Sequence, residues 1–199
     1  MKIPSNFPCI VKIGHAHQGL GKIKVENALD FQDITSIVSI SNSYSTTEPY
    51  IDSKCDIHIQ KIGDSYKAFQ RKSISGNWKA NIGSAMLEQI PMNERYKFWI
   101  DEVSKMFGGL HICEIQAVVH TDTLKEYIID VVDSAMTLFG EQQEGDRRLI
   151  AELCIDTLTT TLENNSNTQT NILTLPSAAS SSSSISTGAN VQQSNSIQK

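Results

Sequence analysis

Apolar and polar residues alternate along several segments of the chain, and this pattern predicts β-strands. The clearest alternation covers residues 54–62, where apolar side chains face one side and the other side carries Asp56, His58 and Gln60. A turn at residues 63–65 leads into a second strand, residues 66–74, and the two should form a hairpin with one solvent-exposed face. Further strands are predicted over residues 9–13, 22–25, 44–51, 111–119 and 127–132.

Apolar residues at helical spacing predict three helices, over residues 28–40, 94–107 and 145–162. Asn27 and Asn93 stand where the N-caps of the first two helices belong, because asparagine side chains accept hydrogen bonds from free backbone amides. Gly108 and Gly109 should end the second helix. The segment 44–51 contains Pro49, which cannot donate a ladder hydrogen bond, so we expect an edge strand or a connection between lobes there.

The composition changes sharply after Glu163. Residues 164–199 carry one charge, on Lys199, and include an uninterrupted run of serines at 180–184. Such a segment buries too little apolar surface to offset the entropy of ordering it. We therefore predict a short lead over residues 1–6, a folded domain over residues 7–162 and a disordered tail over residues 163–199.

Charge and cysteine content exclude some classes of function. The chain has 199 residues and a net charge of −5, which argues against a nucleic-acid partner. Its longest apolar runs fall well short of the ~20 residues that a membrane span needs, so no transmembrane segment is expected. The cysteines lie far apart at Cys9, Cys55, Cys113 and Cys154, which favours reduced thiols over a disulfide or a metal centre.

The segment 9–22 is the most informative stretch for function. A short apolar strand containing Lys12 opens into a loop with Gly14, Gly19 and Gly21, and Lys22 closes it. Such a loop can bring backbone N–H groups close to an anion, while two lysines supply charge for a phosphate. The glycine spacing matches neither the P-loop nor the dinucleotide fingerprint, so a simple glycine hairpin with two solvated lysines remains an open alternative.

Several long sequence motifs identify the chain as similar to the synapsin family. They are residues 11–17 (VKIGHAH), 19–22 (GLGK), 48–52 (EPYID), 73–79 (SISGNWK), 83–90 (GSAMLEQI) and 106–110 (MFGGL). The similarity runs over about residues 7–162. It implies the carboxyl-terminal part of the synapsin central domain, with an α+β ATP-grasp fold in which two lobes enclose a nucleotide cleft.

This resemblance also implies a function and a location. It predicts an ATP-binding protein in the cytoplasm, held peripherally on the synaptic vesicle surface, where it regulates neurotransmitter release. Actin and a homo-oligomer are the other partners that the family implies. No acceptor-substrate motif is found, so we expect nucleotide binding to be regulatory and not catalytic. An ATP-grasp ligase that joins a carboxylate to an amine is the alternative, and a fragment with degraded nucleotide binding is another.

The resemblance assigns nucleotide contacts to four segments. The glycine loop supplies Lys12, His17, Gly19, Gly21 and Lys22. The connection 48–51 should hold the adenine through backbone groups of Glu48, Pro49, Tyr50 and Ile51, although an ordinary edge strand predicts the same sequence. The hairpin wall contributes Asp56 and Arg71, next to His58, where most family members have arginine. Trp78 and Lys79 belong to a predicted lid over residues 73–83; the alternative for Trp78 is a local anchor.

The metal ligands of the family fall on Gln116 and Asp130. ATP-grasp proteins hold Mg²⁺ or Ca²⁺ against the phosphates with oxygen ligands, but here Gln116 replaces an acidic residue and Asp130 a longer glutamate. Gln116 offers a carbonyl oxygen without charge, and the number of charged ligands influences cation affinity. Glu114 lies on the same strand face and is a second candidate, so calcium dependence stays open.

Family members carry another half-domain before the glycine loop, including a further phosphate-contacting lysine and much of the dimer surface. This chain starts a few residues before that loop. The sequence therefore predicts a fragment or incomplete gene model, with a truly shorter protein as the alternative.

Overall fold

The computed structural model describes residues 4–81 and 83–172, with side chains up to residue 165. The strands are β1 Cys9–Ile13, β2 Lys22–Val25, β3 Ser45–Pro49, β4 Ser53–Ile62, β5 Ser65–Ser73, β6 Ala85–Ile90, β7 Ile112–His120 and β8 Glu126–Val132. The α-helices are α1 Ala28–Ser41, α2 Glu94–Met106 and α3 Gln143–Ile172. The chain divides into two units, residues 1–155 and 156–199, and the second contributes the carboxyl-terminal part of α3.

The described part of the first unit contains a small antiparallel sheet in the order β2-β1-β3. Central strand β1 is buried because its apolar residues pack with Val25 and with Phe31 of α1. The side chain of Asn27 accepts hydrogen bonds from the amides of Leu29 and Asp30, so the predicted start of α1 is confirmed. The predicted strands β1 and β2 pair as an antiparallel hairpin, and β3 is an edge strand that ends at Pro49.

The larger described sheet has the order β6-β5-β4-β7-β8, and its neighbouring strands are antiparallel. Helix α2 covers one face of this sheet. Ile57 and Ile59 of β4, Ile115 of β7, and Ile100 and Val103 of α2 form the centre of the core. The predicted apolar face of residues 54–62 therefore packs against α2, and the predicted N-cap at Asn93 is confirmed.

The opposite face of the β4–β5 hairpin is covered at His58 and Gln60, which corrects the prediction that these positions are solvent-exposed. His58 and Gln60 are buried. Phe139, in the segment after β8, packs its ring against His58 at 4.8 Å between ring centroids. The amide of Gln60 donates to the backbone oxygen of Thr137 at 2.6 Å. The alternating polar residues predicted a solvent-exposed face. The prediction fails at His58 and Gln60 because alternation within one strand does not reveal a distant segment that folds over it.

Two boundaries differ from the sequence prediction. Residues 85–90 form β6, an edge strand that periodicity did not indicate, and α3 continues past the predicted end at residue 162 to Ile172. The predicted disordered tail thus begins within a helix, and its residues 173–199 lie outside the described part of the chain. No helix among the described residues combines the length and apolar character needed to cross a membrane.

Tyr96 connects α2 to strand β8 by a hydrogen bond, so the free energy of unfolding should depend on pH in the alkaline range. Its hydroxyl donates to Glu126 Oε1 at 2.7 Å. Burial, together with this hydrogen bond, raises the pKa of Tyr96 to about 12. In the unfolded chain the pKa is about 10, so the contribution of this hydroxyl to stability is fully present below that pH. We expect it to be lost as the pH rises towards the folded value, because the unfolded chain loses the proton first.

The measurement is the free energy of unfolding in urea as a function of pH. Tyr96→Phe should flatten the alkaline decline relative to the unmodified chain. Tyr127→Phe, a change at a more exposed tyrosine on β8, is the matched control and should leave the decline in place. Equal pH profiles for Tyr96→Phe and the unmodified chain would contradict the expectation.

Candidate functional site

A cleft of about 800 Å³ lies between the two sheets. Glycine-loop residues form one wall, and the polar face of β4, β5 and β7 forms the other. Every predicted nucleotide contact except His17 lines it: Lys12, Gly19, Gly21, Lys22, Glu48, Pro49, Tyr50, Ile51, Asp56, Arg71, Trp78 and Lys79. His17 is exposed in the short 3₁₀ turn of the loop, outside the cleft lining. The fold thus brings together residues that are up to 67 positions apart in the chain, from Lys12 to Lys79.

The glycine loop needs glycine for steric reasons at Gly21. Its φ is +75°, and a Cβ there would lie 2.8 Å from the backbone oxygen of Ile13. The Ile13 amide donates to the Gly21 oxygen at 2.9 Å, which closes the loop between β1 and β2. This close crossing of the backbone places Lys12 and Lys22 opposite each other on neighbouring strands.

Lys12 and Lys22 each form an ion pair with a carboxylate. Lys12 Nζ lies 2.7 Å from Glu48 Oε1, and Lys22 Nζ lies 3.1 Å from Asp130 Oδ2. Both lysine side chains are largely buried, with 11% of each exposed. These cations are therefore held in place, and a phosphate that enters would meet ammonium groups already directed into the cleft.

The segment after β5 crosses to the glycine loop. Lys79 Nζ donates to the backbone oxygen of Gly19 at 3.1 Å, and Asn81 Nδ2 donates to the backbone oxygen of Gln18 at 2.7 Å. The Trp78 ring packs edge to face on Tyr50, with centroids 6.3 Å apart. Because of burial, and of the nearby charge on Lys22, the pKa of Lys79 is lowered. A carbonyl oxygen only partly compensates an ammonium charge, so this site favours an anion.

Arg71 and Asp56 face each other in the hairpin wall. They are directly opposite on β5 and β4, and the Arg71 guanidinium lies over the Phe139 ring at 4.8 Å. Burial raises the pKa of Asp56, while the nearby His58, Arg71 and Lys22 side chains act in the opposite direction. Both side chains line the cleft, where a ligand could contact them.

The connection between the sheets borders the same cleft. Residues 48–51 run from the end of edge strand β3 towards β4, and the Tyr50 amide donates to the Pro8 oxygen. Lys24 Nζ lies 4.2 Å from the centre of the Tyr50 ring. This segment places backbone groups and an aromatic side chain beside the cleft, the surroundings that a planar base would use.

The predicted metal ligands lie side by side. Gln116 of β7 and Asp130 of β8 are directly opposite partners across the two strands. Glu114, in contrast, is buried and accepts hydrogen bonds from neighbouring side chains. No group of three or more His, Cys, Asp or Glu residues among the described ones could hold a metal ion unaided. Two oxygen donors fit a cation such as Mg²⁺, which keeps waters and takes further ligands from substrate phosphates.

Some contacts in the cleft lacked a sequence signal. Phe139 covers the polar face, and Asn81 bridges to the glycine loop, yet neither belongs to a periodic pattern. Glu114 carried a signal, since it shares a strand face with Gln116, but only the cross-strand pairing shows its partners His58 and Gln60. Local spacing predicts which residues share a face, whereas contacts between distant segments depend on the complete fold.

Comparison with known proteins identifies the family. The family model described as "Synapsin, ATP binding domain" matches residues 1–160. Synapsin of Drosophila melanogaster is 52% identical over 153 residues, which covers 75% of this chain. The chain spans 15% of the length of that relative.

Solved structures with a similar fold are ATP-grasp enzymes of low sequence identity. D-alanine-D-alanine ligase from Coxiella burnetii has a TM-score of 0.57 at 13% identity, covering 84% of this chain and 51% of its own. The Bacillus anthracis enzyme, solved with ATP, has a TM-score of 0.54 at 15% identity, covering 78% and 56%. The ATP-grasp ligase PsnB, solved with Mg and ADP, has a TM-score of 0.53 at 17% identity, covering 73% and 46%. The chain thus has the ATP-grasp fold, and with its family model matched over residues 1–160 it belongs to the synapsin family.

Proposed function

We propose that this chain binds ATP together with a divalent cation in the cleft between its two sheets, and that binding regulates the protein. The observation that carries the proposal is the set of four cations in one cleft, Lys12, Lys22, Arg71 and Lys79. They come from three separate segments, and their charges would meet the phosphates of a nucleotide. Family membership and the nucleotide-bound relatives of the same fold support this assignment.

Each part of the cleft has a proposed role. The lysines and Arg71 neutralise phosphate charge, and backbone N–H groups of the glycine loop approach the phosphate oxygens. Backbone groups of residues 48–51 hold the base. Trp78 covers the ligand and excludes water. Gln116 and Asp130 would hold Mg²⁺ or Ca²⁺, which supplies positive charge to the phosphates. His17 is proposed to contact a nucleotide only if the loop moves, because it is exposed and does not line the cleft.

ATP titration of the full chain tests the proposal. Trp78 lies at the cleft, whereas Trp99 packs with α2 against the core of the large sheet, so their responses should differ. We expect saturable quenching with Mg²⁺ that persists in Trp99→Phe and disappears in Trp78→Phe. A folded protein whose fluorescence and binding calorimetry ignore ATP under Mg²⁺, Ca²⁺ and chelator would overturn the proposal and favour the degraded fragment.

A regulatory role is distinguished from catalysis by product formation. We expect bound ATP to stay intact over many minutes, with or without carboxylates and amines. Phosphate release that requires both a carboxylate and an amine would instead establish the ligase alternative. The structural relatives do not decide between the two, since identities of 13–17% carry the fold alone.

We further propose that the protein of which this sequence forms part acts at synaptic vesicles in the cytoplasm and regulates neurotransmitter release. Family membership supports this proposal. Co-sedimentation of the chain with purified synaptic vesicles and with actin filaments, and its mass in solution, test vesicle binding, actin binding and self-association separately. Failure of all three would restrict the role of this domain to nucleotide binding.

A further inference from the structure

Glu114 is a carboxylate beneath the floor of the cleft, with only 1% of the residue exposed. Three side chains surround it. His58 Nδ1 lies 2.7 Å from Oε1, Gln60 Nε2 donates to Oε2 at 2.8 Å, and Gln116 Nε2 donates to Oε1 at 3.1 Å. Gln60 is itself held by the backbone oxygen of Thr137. A buried carboxylate with this many partners is rigidly positioned, since each lost hydrogen bond would leave a buried polar group unsatisfied.

These contacts determine which end of the Gln116 amide faces the cleft. Gln116 Nε2 donates to Glu114 Oε1, so the NH₂ group of Gln116 faces Glu114. The oxygen of the same planar amide then points along the other branch, away from Glu114. Gln116 lines the cleft, and its direct partner across the sheet is Asp130.

We propose that Glu114 is a positioning residue that holds Gln116 with its amide oxygen towards the cleft. There the oxygen acts beside Asp130 as a neutral donor for the divalent cation that accompanies the nucleotide. The cation part of this inference rests on the proposed function, whereas the orientation of Gln116 does not. Glu114 itself is not a cation ligand, because binding a cation would require it to release His58 or Gln60.

This arrangement has a specific chemical consequence. A cation in the cleft would meet one neutral oxygen, from Gln116, and one carboxylate, from Asp130, which would exchange its contact with Lys22 for the cation. The carboxyl group of Glu114 already has three side-chain hydrogen-bond partners. Oxygen-rich sites bind cations more weakly as the number of charged ligands falls. The chain would therefore depend on phosphate oxygens of the nucleotide for much of its cation affinity.

The orientation is tested without any ligand, by exchange of side-chain amide hydrogens followed by NMR. Gln116 should exchange about tenfold more slowly than Gln89, an exposed glutamine of the same sheet, because a hydrogen bond to a carboxylate protects it. Glu114→Ala should remove this protection, and Glu88→Ala, at an exposed glutamate, should not. Equal exchange of Gln116 and Gln89 in the unmodified chain would overturn the inference even if Glu114→Ala failed to fold.

The role in cation binding is tested by a double-mutant cycle. The measured quantity is the ratio of the ATP affinity in the presence of Mn²⁺ to the ATP affinity in the presence of chelator, and calorimetry gives both. Glu114→Ala and Gln116→Leu should each reduce that ratio about tenfold, as changes to cation ligands and their supporting residues do. In the Gln116→Leu background, Glu114→Ala should add nothing, because it acts through Gln116.

The outcomes separate the two proposals. An equal loss from Glu114→Ala with and without Gln116 would show that Glu114 acts by another route, and would overturn the inference. An unmodified chain that binds no ATP in any condition would refute the proposed function and the cation role with it. The exchange measurement would then still decide whether Glu114 orients Gln116.

Discussion

Phe139→Ala is expected to lower the free energy of unfolding by about 3 kcal/mol, at the lower end of the range for a buried phenylalanine. The ring is 6% exposed and packs on His58 and Phe69, with centroids 4.8 and 5.7 Å away. Its removal would leave a space at the edge of the cleft, where water can enter and reduce the cost of an empty cavity. It would also expose the polar layer formed by His58 and Gln60.

Urea denaturation followed by circular dichroism measures the change. Phe139→Leu should cost about 1 kcal/mol, because leucine refills most of the space. Phe98→Ala is the matched control, since Phe98 is 62% exposed on α2, and it should change stability by about 0.5 kcal/mol or less. If Phe139→Ala cost no more than Phe98→Ala, the segment around Phe139 would not be what covers the hairpin.

Lys79→Ala is expected to weaken ATP binding by about tenfold to a hundredfold, the usual range for losing a charged hydrogen bond. Among the cleft cations, Lys79 is the residue whose substitution tests phosphate binding most directly. Lys12 also holds Glu48, and Lys22 also holds Asp130, so changing either would disturb an ion pair as well. Lys79 contacts a backbone oxygen, and burial beside Lys22 lowers its pKa, so an anion should stabilise its charged form.

Calorimetric titration of ATP with Mg²⁺ gives the affinity. Lys72→Ala is the control, because Lys72 is exposed on the same strand–lid region and does not line the cleft. The thermal stability of Lys79→Ala should remain close to that of the unmodified chain, since the lost contact is one partly exposed hydrogen bond. Unchanged ATP affinity in Lys79→Ala would show that the predicted lid does not contribute to the proposed ATP site.

Local sequence patterns predicted much of this fold, because helix caps and strand faces depend on residues that are close together in the chain. Asn27 and Asn93 cap helices, since their side chains satisfy amides within three residues in the chain. The alternation over residues 54–62 placed Ile57 and Ile59 on the core side, because strand geometry alone decides which residues share a face. The family resemblance then assigned distant segments to one cleft. The structure brings these segments together, with His17 and Asp130 outside the cleft lining.

What local patterns could not predict depends on contacts between distant segments. The burial of His58 and Gln60 comes from a segment almost eighty residues later, at Thr137 and Phe139. Strand β6 lacks a clear period because it is an edge strand whose residues are mostly exposed on both faces. The partners of Glu114 follow from the register of β4 against β7, which a single strand sequence does not contain.

The ion pairs of Lys12 and Lys22 also bear on the speed of ligand capture. Among the described residues that line the cleft, four cations (Lys12, Lys22, Arg71 and Lys79) stand against three carboxyl groups (Glu48, Asp56 and Glu114), and Asp130, outside the lining, pairs with Lys22. Such a balanced cleft projects little net field into solution, and the chain as a whole is acidic. A polyanionic ligand would thus arrive by ordinary diffusion without long-range steering, and ionic strength would affect its association rate only weakly.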